Sequence, residues 1–200
     1  MNEILSWLGK HWVEVTGTVT ALIYLYFSIR QNILTWVFGL LSSALYVFVF
    51  FFSKIYAHMG LNLYYVVISI YGWWSWTHGK ENGKQTKGEL KVSRTSFALW
   101  IKLLLAYLVL YVIIYLILKY HTDTPVPYLD SFTTTLAIVA TWMLTRKKIE
   151  HWLLWVVNDA VSMGLFLYRE LYATTFLFLV YTVMAVVGYM EWRKDLKNNR

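Results

Sequence analysis

Residues 151–192 read HWLLWVVNDAVSMGLFLYRELYATTFLFLVYTVMAVVGYMEW. The stretch holds two apolar spans, with one carboxylate, Asp159, near the middle of the first. It also resembles an earlier part of the same chain. A shift of 116 residues lays Trp36–Trp76 on Trp152–Trp192 without a gap. Trp36 then meets Trp152, Ala44 meets Ala160, Phe50 meets Phe166, and Tyr56-Ala57 meet Tyr172-Ala173. Leu61 meets Leu177, Tyr65 meets Tyr181, Gly72 meets Gly188 and Trp76 meets Trp192. The same shift carries Arg30 to Arg146, Ile33 to Ile149 and Thr18 to Thr134. Apolar residues coincide by chance often, whereas gapless matches of Trp, Gly and Arg are harder to obtain. An internal duplication is the reading, and the differences between the copies become the place to look for a site.

Composition sets the environment. Of 200 residues, 58% are hydrophobic and 14% charged, against about a quarter charged in a soluble domain. Runs of about 20 apolar residues, each long enough to cross a bilayer, recur along the chain. The N-terminus shows no cleavable signal pattern: Glu3 and Lys10 bracket a short, weakly apolar run. The absence of cysteine excludes disulfides and thiolate metal sites. The net charge of +7 lies in loops and in the tail, where it reads as a topology signal rather than a nucleic-acid surface.

Seven helical spans are expected, because a lipid-exposed backbone must satisfy its own hydrogen bonds. They run about 12–29, 33–52, 56–76, 97–118, 131–145, 149–168 and 171–192. The loop THGKENGKQTKGELKVSR separates the third from the fourth, and HTDTPVPYLD, with both prolines, the fourth from the fifth. With seven spans, 14 of the 18 Lys and Arg fall on one side, and only Lys10, Lys54, Lys119 and Arg169 on the other. The N-terminus is therefore expected outside and the C-terminus in the cytoplasm. Two copies of three spans joined directly would be inverted. The fourth span restores parallel orientation, so the layout is repeat one at 12–76, a linker helix at 97–118 and repeat two at 131–192. Parallel repeats place a substrate path between the bundles, near the midplane.

The copies differ most in their second span. WVFGLLSSAL from Trp36 faces WLLWVVNDAV from Trp152. Gly39, Ser42 and Ser43, a small-residue surface suited to close packing, are replaced by Trp155, Asn158 and Asp159. Trp152, Trp155, Asp159 and Ser162 recur at helical spacing and share one face. Two indoles and a carboxylate on one wall suit a flat organic cation. The residues alone leave two other readings of Asp159 open: a helix-to-helix hydrogen bond and a proton site. Asn62, one turn from His58 in the third span, either reads a ligand or links helices. Tyr71, Gly72, Trp73 and Trp76 form a candidate gate at the cytoplasmic end, although Gly72 and Gly188 also suit close helix approach. No histidine pair has metal-ligand spacing, and there is no phosphate loop and no nucleophile–base–acid set, so neither a catalytic residue nor a cofactor is expected.

RQNILTW from Arg30, LYVFVFFFSKIYAHMGLNLYYVVISIYGWWSW from Leu45, and WVVNDAVS…LY…GYMEW from Trp155 resemble the PnuC family of bacterial vitamin transporters. The similarity runs from about Thr16 to Trp192. The YGWxxW run (Tyr71, Gly72, Trp73, Trp76) and the tryptophan-rich sixth span carry it most specifically. The resemblance implies a seven-helix, SWEET-like fold with an extra central helix, assembled as a homotrimer in the inner membrane. It implies facilitated diffusion of an unphosphorylated vitamin that a cytoplasmic kinase then traps. Most members are described as nicotinamide riboside transporters, with branches assigned to thiamine (PnuT) and riboflavin. This chain departs from the family pattern where it has Asn62 in place of a Gln, and Asp159 in place of the Asn of a WxxxN motif. A carboxylate favours a cation, and nicotinamide riboside and thiamine both carry a fixed positive ring. Nicotinamide riboside is the expected substrate, thiamine the nearest alternative, and energy-independent uptake the expected mode. A sugar carrier of the SWEET type, or a scaffold with Trp152, Trp155 and Asp159 packed shut, are the rival readings.

Overall fold

The protein is described by a computed structural model covering residues 2–52, 56–78, 80–81, 84–85, 90–168 and 170–198. The elements in chain order are α1 (Asn2–Ile29), α2 (Leu34–Phe52), α3 (Tyr56–Thr77), α4 (Phe97–His121), α5 (Pro127–Thr145), α6 (His151–Tyr168) and α7 (Tyr172–Asn198). Between α3 and α4 lies an antiparallel ribbon, β1 (Lys80–Glu81) and β2 (Lys84–Gln85). Sequence patterning gave no sign of this ribbon, because two-residue strands have no periodicity to read.

The seven helices correspond to the seven expected spans, with shifted ends. α1 starts ten residues earlier and α7 runs six residues longer than hydropathy alone implies, since charged ends can stay helical in water. α5 begins at Pro127 rather than after the proline-containing loop. A proline in the first turn needs no amide hydrogen bond, so Pro127 opens this helix instead of breaking it. α4 opens at Ser96, whose Oγ accepts from the Leu99 amide at 3.3 Å.

α2 packs between α1 and α3, α6 between α5 and α7, and α4 packs on α5. The two sets meet through α3 on α5 and α7 on α1. α4 turns most of its apolar side chains outward, with Leu103 as its buried residue. An apolar exterior of this kind suits hydrocarbon.

The turns joining α1 to α2 and α5 to α6 share four hydrogen bonds at matched positions. In the first, the amides of Gln31, Asn32, Thr35 and Trp36 donate to the carbonyls of Ser28, Phe27, Asn32 and Ile33. In the second, the amides of Lys147, Lys148, His151 and Trp152 donate to Leu144, Met143, Lys148 and Ile149. Every residue number is raised by 116. Gln31 and Lys147 both take the left-handed conformation, with φ of 54° and 46°. Neither is glycine, so the strain is borne twice at matched positions. Arg30 sits over the Tyr26 ring and Arg146 over the Trp142 ring, again 116 apart.

Residues 90–96 form a strap across the α5–α6 turn. Ser93 donates its amide to Lys147 O and accepts from Ile149 N. The Thr95 amide and hydroxyl both donate to Glu150 Oε2, at 3.0 and 2.7 Å. Leu90 N donates to Trp76 O, and Val92 is buried in the main apolar cluster.

Candidate functional site

That cluster is an aromatic floor built from four tryptophans. Trp36 lies at the start of α2 and Trp152 at the start of α6, both fully buried. Each ring lies over a glycine of the next helix. A Cβ on Gly72 would stand 2.5 Å from the Trp36 ring, and one on Gly188 2.6 Å from the Trp152 ring. Trp76 meets Trp36 edge-on at 5.3 Å, and Trp192 meets Trp152 edge-on at 5.8 Å. The Trp76 indole N–H donates to Leu144 O at 3.1 Å, and the Trp192 N–H to Ser28 O at 3.1 Å. Buried indole nitrogens need such partners, and here the partners lie on the opposite set of helices.

Above this floor is a cavity of about 340 Å³. Most of its wall is paired by the same interval of 116. Leu25 pairs with Thr141, Ser28 with Leu144, Trp36 with Trp152, and Gly39 with Trp155. Ser43 pairs with Asp159, Tyr65 with Tyr181, and Ser69 with Ala185. The cavity therefore lies between the two sets of helices, each presenting equivalent positions. The wall is mostly apolar and aromatic, with a few polar groups, as small-molecule sites are.

The paired positions differ most in size and charge at two adjacent levels. At the lower, Gly39 faces Trp155, and the Gly39 gap admits the Tyr24 ring. At the upper, Ser43 faces Asp159. The Asp159 side chain is 5% exposed and accepts a 3.4 Å hydrogen bond from its neighbour Asn158. No Lys or Arg lines the cavity among the described residues. An ionised carboxylate in such surroundings costs several kcal/mol unless a cation balances it. The arrangement therefore favours a positively charged guest, with Trp155, Tyr65 and Tyr181 to cover its faces. At the floor, the His151 Nδ1 donates to Lys148 O at 2.7 Å, because a carbonyl can only accept. The His151 Nε2 is buried and has no hydrogen-bond partner among the described residues.

Of the residues singled out in sequence, Trp152, Trp155 and Asp159 line this cavity together. Asn158 and Ser162 are buried, but neither is among the lining residues, and Asn62 is half-buried outside the lining too. Of the candidate gate, Gly72 is the seat of Trp36 and Trp76 is a buried, hydrogen-bonded part of the floor. Tyr71 is covered by the Arg146 guanidinium, while Trp73 is 44% exposed. The His58 side chain lies outside the described residues. Gly39, Ser42 and Ser43, expected as a packing surface, also form a cavity wall, and Gly39 gives close approach to Tyr24 and Ser69. Tyr24, Tyr65, Tyr181 and His151 were not foreseen as lining residues. Their paired spacing was the available signal for the two inner tyrosines. No group of three or more His, Asp or Glu among the described residues could hold a metal.

A family model described as nicotinamide mononucleotide transporter matches residues 11–194. The chain belongs to this family. Among its relatives in the family is the nicotinamide riboside transporter PnuC of Escherichia coli strain K12. The two are 28% identical over 205 residues, spanning 90% of this chain and 84% of the relative. The riboflavin/roseoflavin transporter RibM of Streptomyces davaonensis is 25% identical, with 90% of this chain and 84% of the relative covered. The crystal structure of the vitamin B3 transporter PnuC superimposes with a TM-score of 0.76 at 24% identity. It covers all of this chain and 88% of that one, so the fold is that of PnuC. A family of transporters places the chain in a membrane, which agrees with its apolar exterior. Phe97–His121 and Thr174–Asn198 are long and apolar enough to cross one, with mean hydropathies of 2.6 and 1.5.

Proposed function

We propose that the chain imports a small cationic vitamin across the bacterial inner membrane, nicotinamide riboside first and thiamine second. The observation that carries this reading is Asp159 on the cavity wall, with no Lys or Arg among the described residues that line it. The relatives include transporters named for nicotinamide riboside and for riboflavin, and the carboxylate favours the cation over the neutral flavin. It also disfavours the mononucleotide of the family's description, whose phosphate would meet a carboxylate and no cation. The vitamin crosses by facilitated diffusion, and a cytoplasmic kinase traps it by phosphorylation. Trp152, Trp155 and Asp159 hold it, joined by Tyr65 and Tyr181. Asn62, Asn158 and Ser162 support this site from the next shell outward, while Trp76 belongs to its cytoplasmic closure with Gly72, Tyr71 and Trp73 around it.

The architecture that serves this function is a 3+1+3 parallel repeat of the SWEET type. Repeat one is 12–76, the linker helix 97–118 and repeat two 131–192. The matched turns, matched floor and paired wall support it. The N-terminus is outside and the C-terminus cytoplasmic, with all seven helices spanning the bilayer, and the assembly is a homotrimer. Parallel calorimetric titrations of the purified protein with nicotinamide riboside, thiamine and nicotinamide mononucleotide test the reading. Heat with either of the first two and none with the mononucleotide is expected. Tight binding of the mononucleotide would overturn it.

A further inference from the structure

The floor of the cavity is closed by tryptophans, and its opposite end lies further along α1 and α2. On α1 the residues that line the cavity, Ala21, Tyr24, Leu25 and Ser28, recur at helical spacing. The next position outward on that face is Gly17. On α2 the lining residues are Trp36, Gly39, Ser42 and Ser43, and the next position outward on the Gly39 face is Tyr46. These two positions meet. A Cβ added at Gly17 would overlap the Tyr46 hydroxyl and crowd its ring. The phenol therefore crosses from α2 to α1 one turn beyond the outermost lining residue of each helix. Only a glycine leaves room for it there.

The second set of helices has no equivalent. The positions 116 residues on from Gly17 and Tyr46 are Thr133 and Ser162. Serine is too short to bridge two helices in this way. One half thus carries a large, seated aromatic group at this end and the other half a small residue.

We infer that Tyr46 is the outer gate of the cavity and Gly17 the seat that holds it closed. Tyr46 is a single side chain, whereas the opposite end is held by the indole hydrogen bonds of Trp76 and Trp192 and by the strap. The cavity then opens outward by a side-chain swing and inward by separation of the two sets of helices. Outward is the face opposite the basic loops, and this part of the inference rests on the orientation proposed above.

The chain has no cysteine, so one introduced thiol gives an unambiguous reporter. Ser43→Cys places it on the cavity wall just inside Tyr46. A membrane-impermeant methanethiosulfonate reagent, added to intact cells, should label it slowly when Tyr46 is present. Tyr46→Ala should raise the rate about tenfold or more. Gly17→Ala, which unseats the phenol without removing it, should raise it as well, and Tyr46→Phe should leave it slow. Ala140→Cys, buried away from the cavity, should stay unlabelled in all of these backgrounds, which separates gate opening from unfolding. Unchanged Ser43→Cys labelling in both Tyr46→Ala and Gly17→Ala would overturn the inference. Acceleration in everted vesicles but not in cells would retain the gate and overturn the orientation instead.

Discussion

Trp76 and Trp192 stand 116 residues apart and make the same bond in opposite directions. Trp76, in the first half, donates to Leu144 O in the second, and Trp192, in the second half, donates to Ser28 O in the first. The acceptors are themselves 116 apart. Their rings face each other at 6.3 Å. A reciprocal exchange of this kind is what a two-fold relation between two similar bundles produces. It ties the bundles to each other at the floor, and the Tyr64 hydroxyl of α3 ties them again further along by donating to Ile138 O of α5 at 2.9 Å.

Trp76→Phe and Trp192→Phe should each lower the thermal stability of the detergent-purified protein, by about 1 kcal/mol for the lost hydrogen bond. The two effects should be similar in size. A loss confined to one of them, in thermal-unfolding curves of both variants, would show that the exchange is not balanced.

Gly72→Ala and Gly188→Ala should destabilise by about 1–3 kcal/mol each, the usual cost of overpacking. The added methyl groups would overlap the Trp36 and Trp152 rings, which are too tightly packed to yield. Gly60→Ala and Gly164→Ala, where nothing stands within 4 Å of an added Cβ, serve as controls and should be neutral or slightly stabilising through helix propensity. Melting temperatures of the four variants make the comparison.

The strap should depend on Glu150. Its Oε2 accepts from both the amide and the hydroxyl of Thr95, and hydrogen bonds to a charged group are worth about 1.5–3 kcal/mol. Glu150→Ala should speed hydrogen exchange of the Ser93 and Thr95 amides. Unchanged protection of these amides would show that the strap does not depend on Glu150.

Much of this was legible in the sequence, and the remainder fails for geometric reasons. Helix count follows from hydropathy, and the interval of 116 follows from rare residues such as Trp36 and Gly72. Ser162 shares the Asp159 face but lies three residues further out, beyond the cavity's end. Asn62 stands in the same relation to Tyr65. Depth along a helix is invisible to a rule that reports only which face a residue occupies. Asn158 is one residue from Asp159, and a turn of about 100° carries it to a different wall. Gly39 and Ser43 were read as packing residues because small side chains bring helices together in membranes. Gly39 does allow a close approach, by the Tyr24 ring and Ser69, and it also lines the cavity together with Ser43. Tyr24 carries no mark in the sequence that separates it from an interfacial tyrosine, whereas Tyr65 is marked by its pairing with Tyr181 at the interval of 116.

The central claim is that Asp159 supplies the negative charge for a cationic vitamin. Uptake of radiolabelled nicotinamide riboside and of thiamine into proteoliposomes, by the wild-type protein and by Asp159→Asn, tests it most directly. Asparagine keeps the size and the hydrogen bonding and removes the charge. The account predicts uptake of at least one of the two by the wild type. It predicts that Asp159→Asn weakens the apparent affinity about 10–100-fold, as expected for a lost charge-assisted contact of about 1.5–3 kcal/mol. An unchanged apparent affinity in a folded Asp159→Asn protein would contradict it.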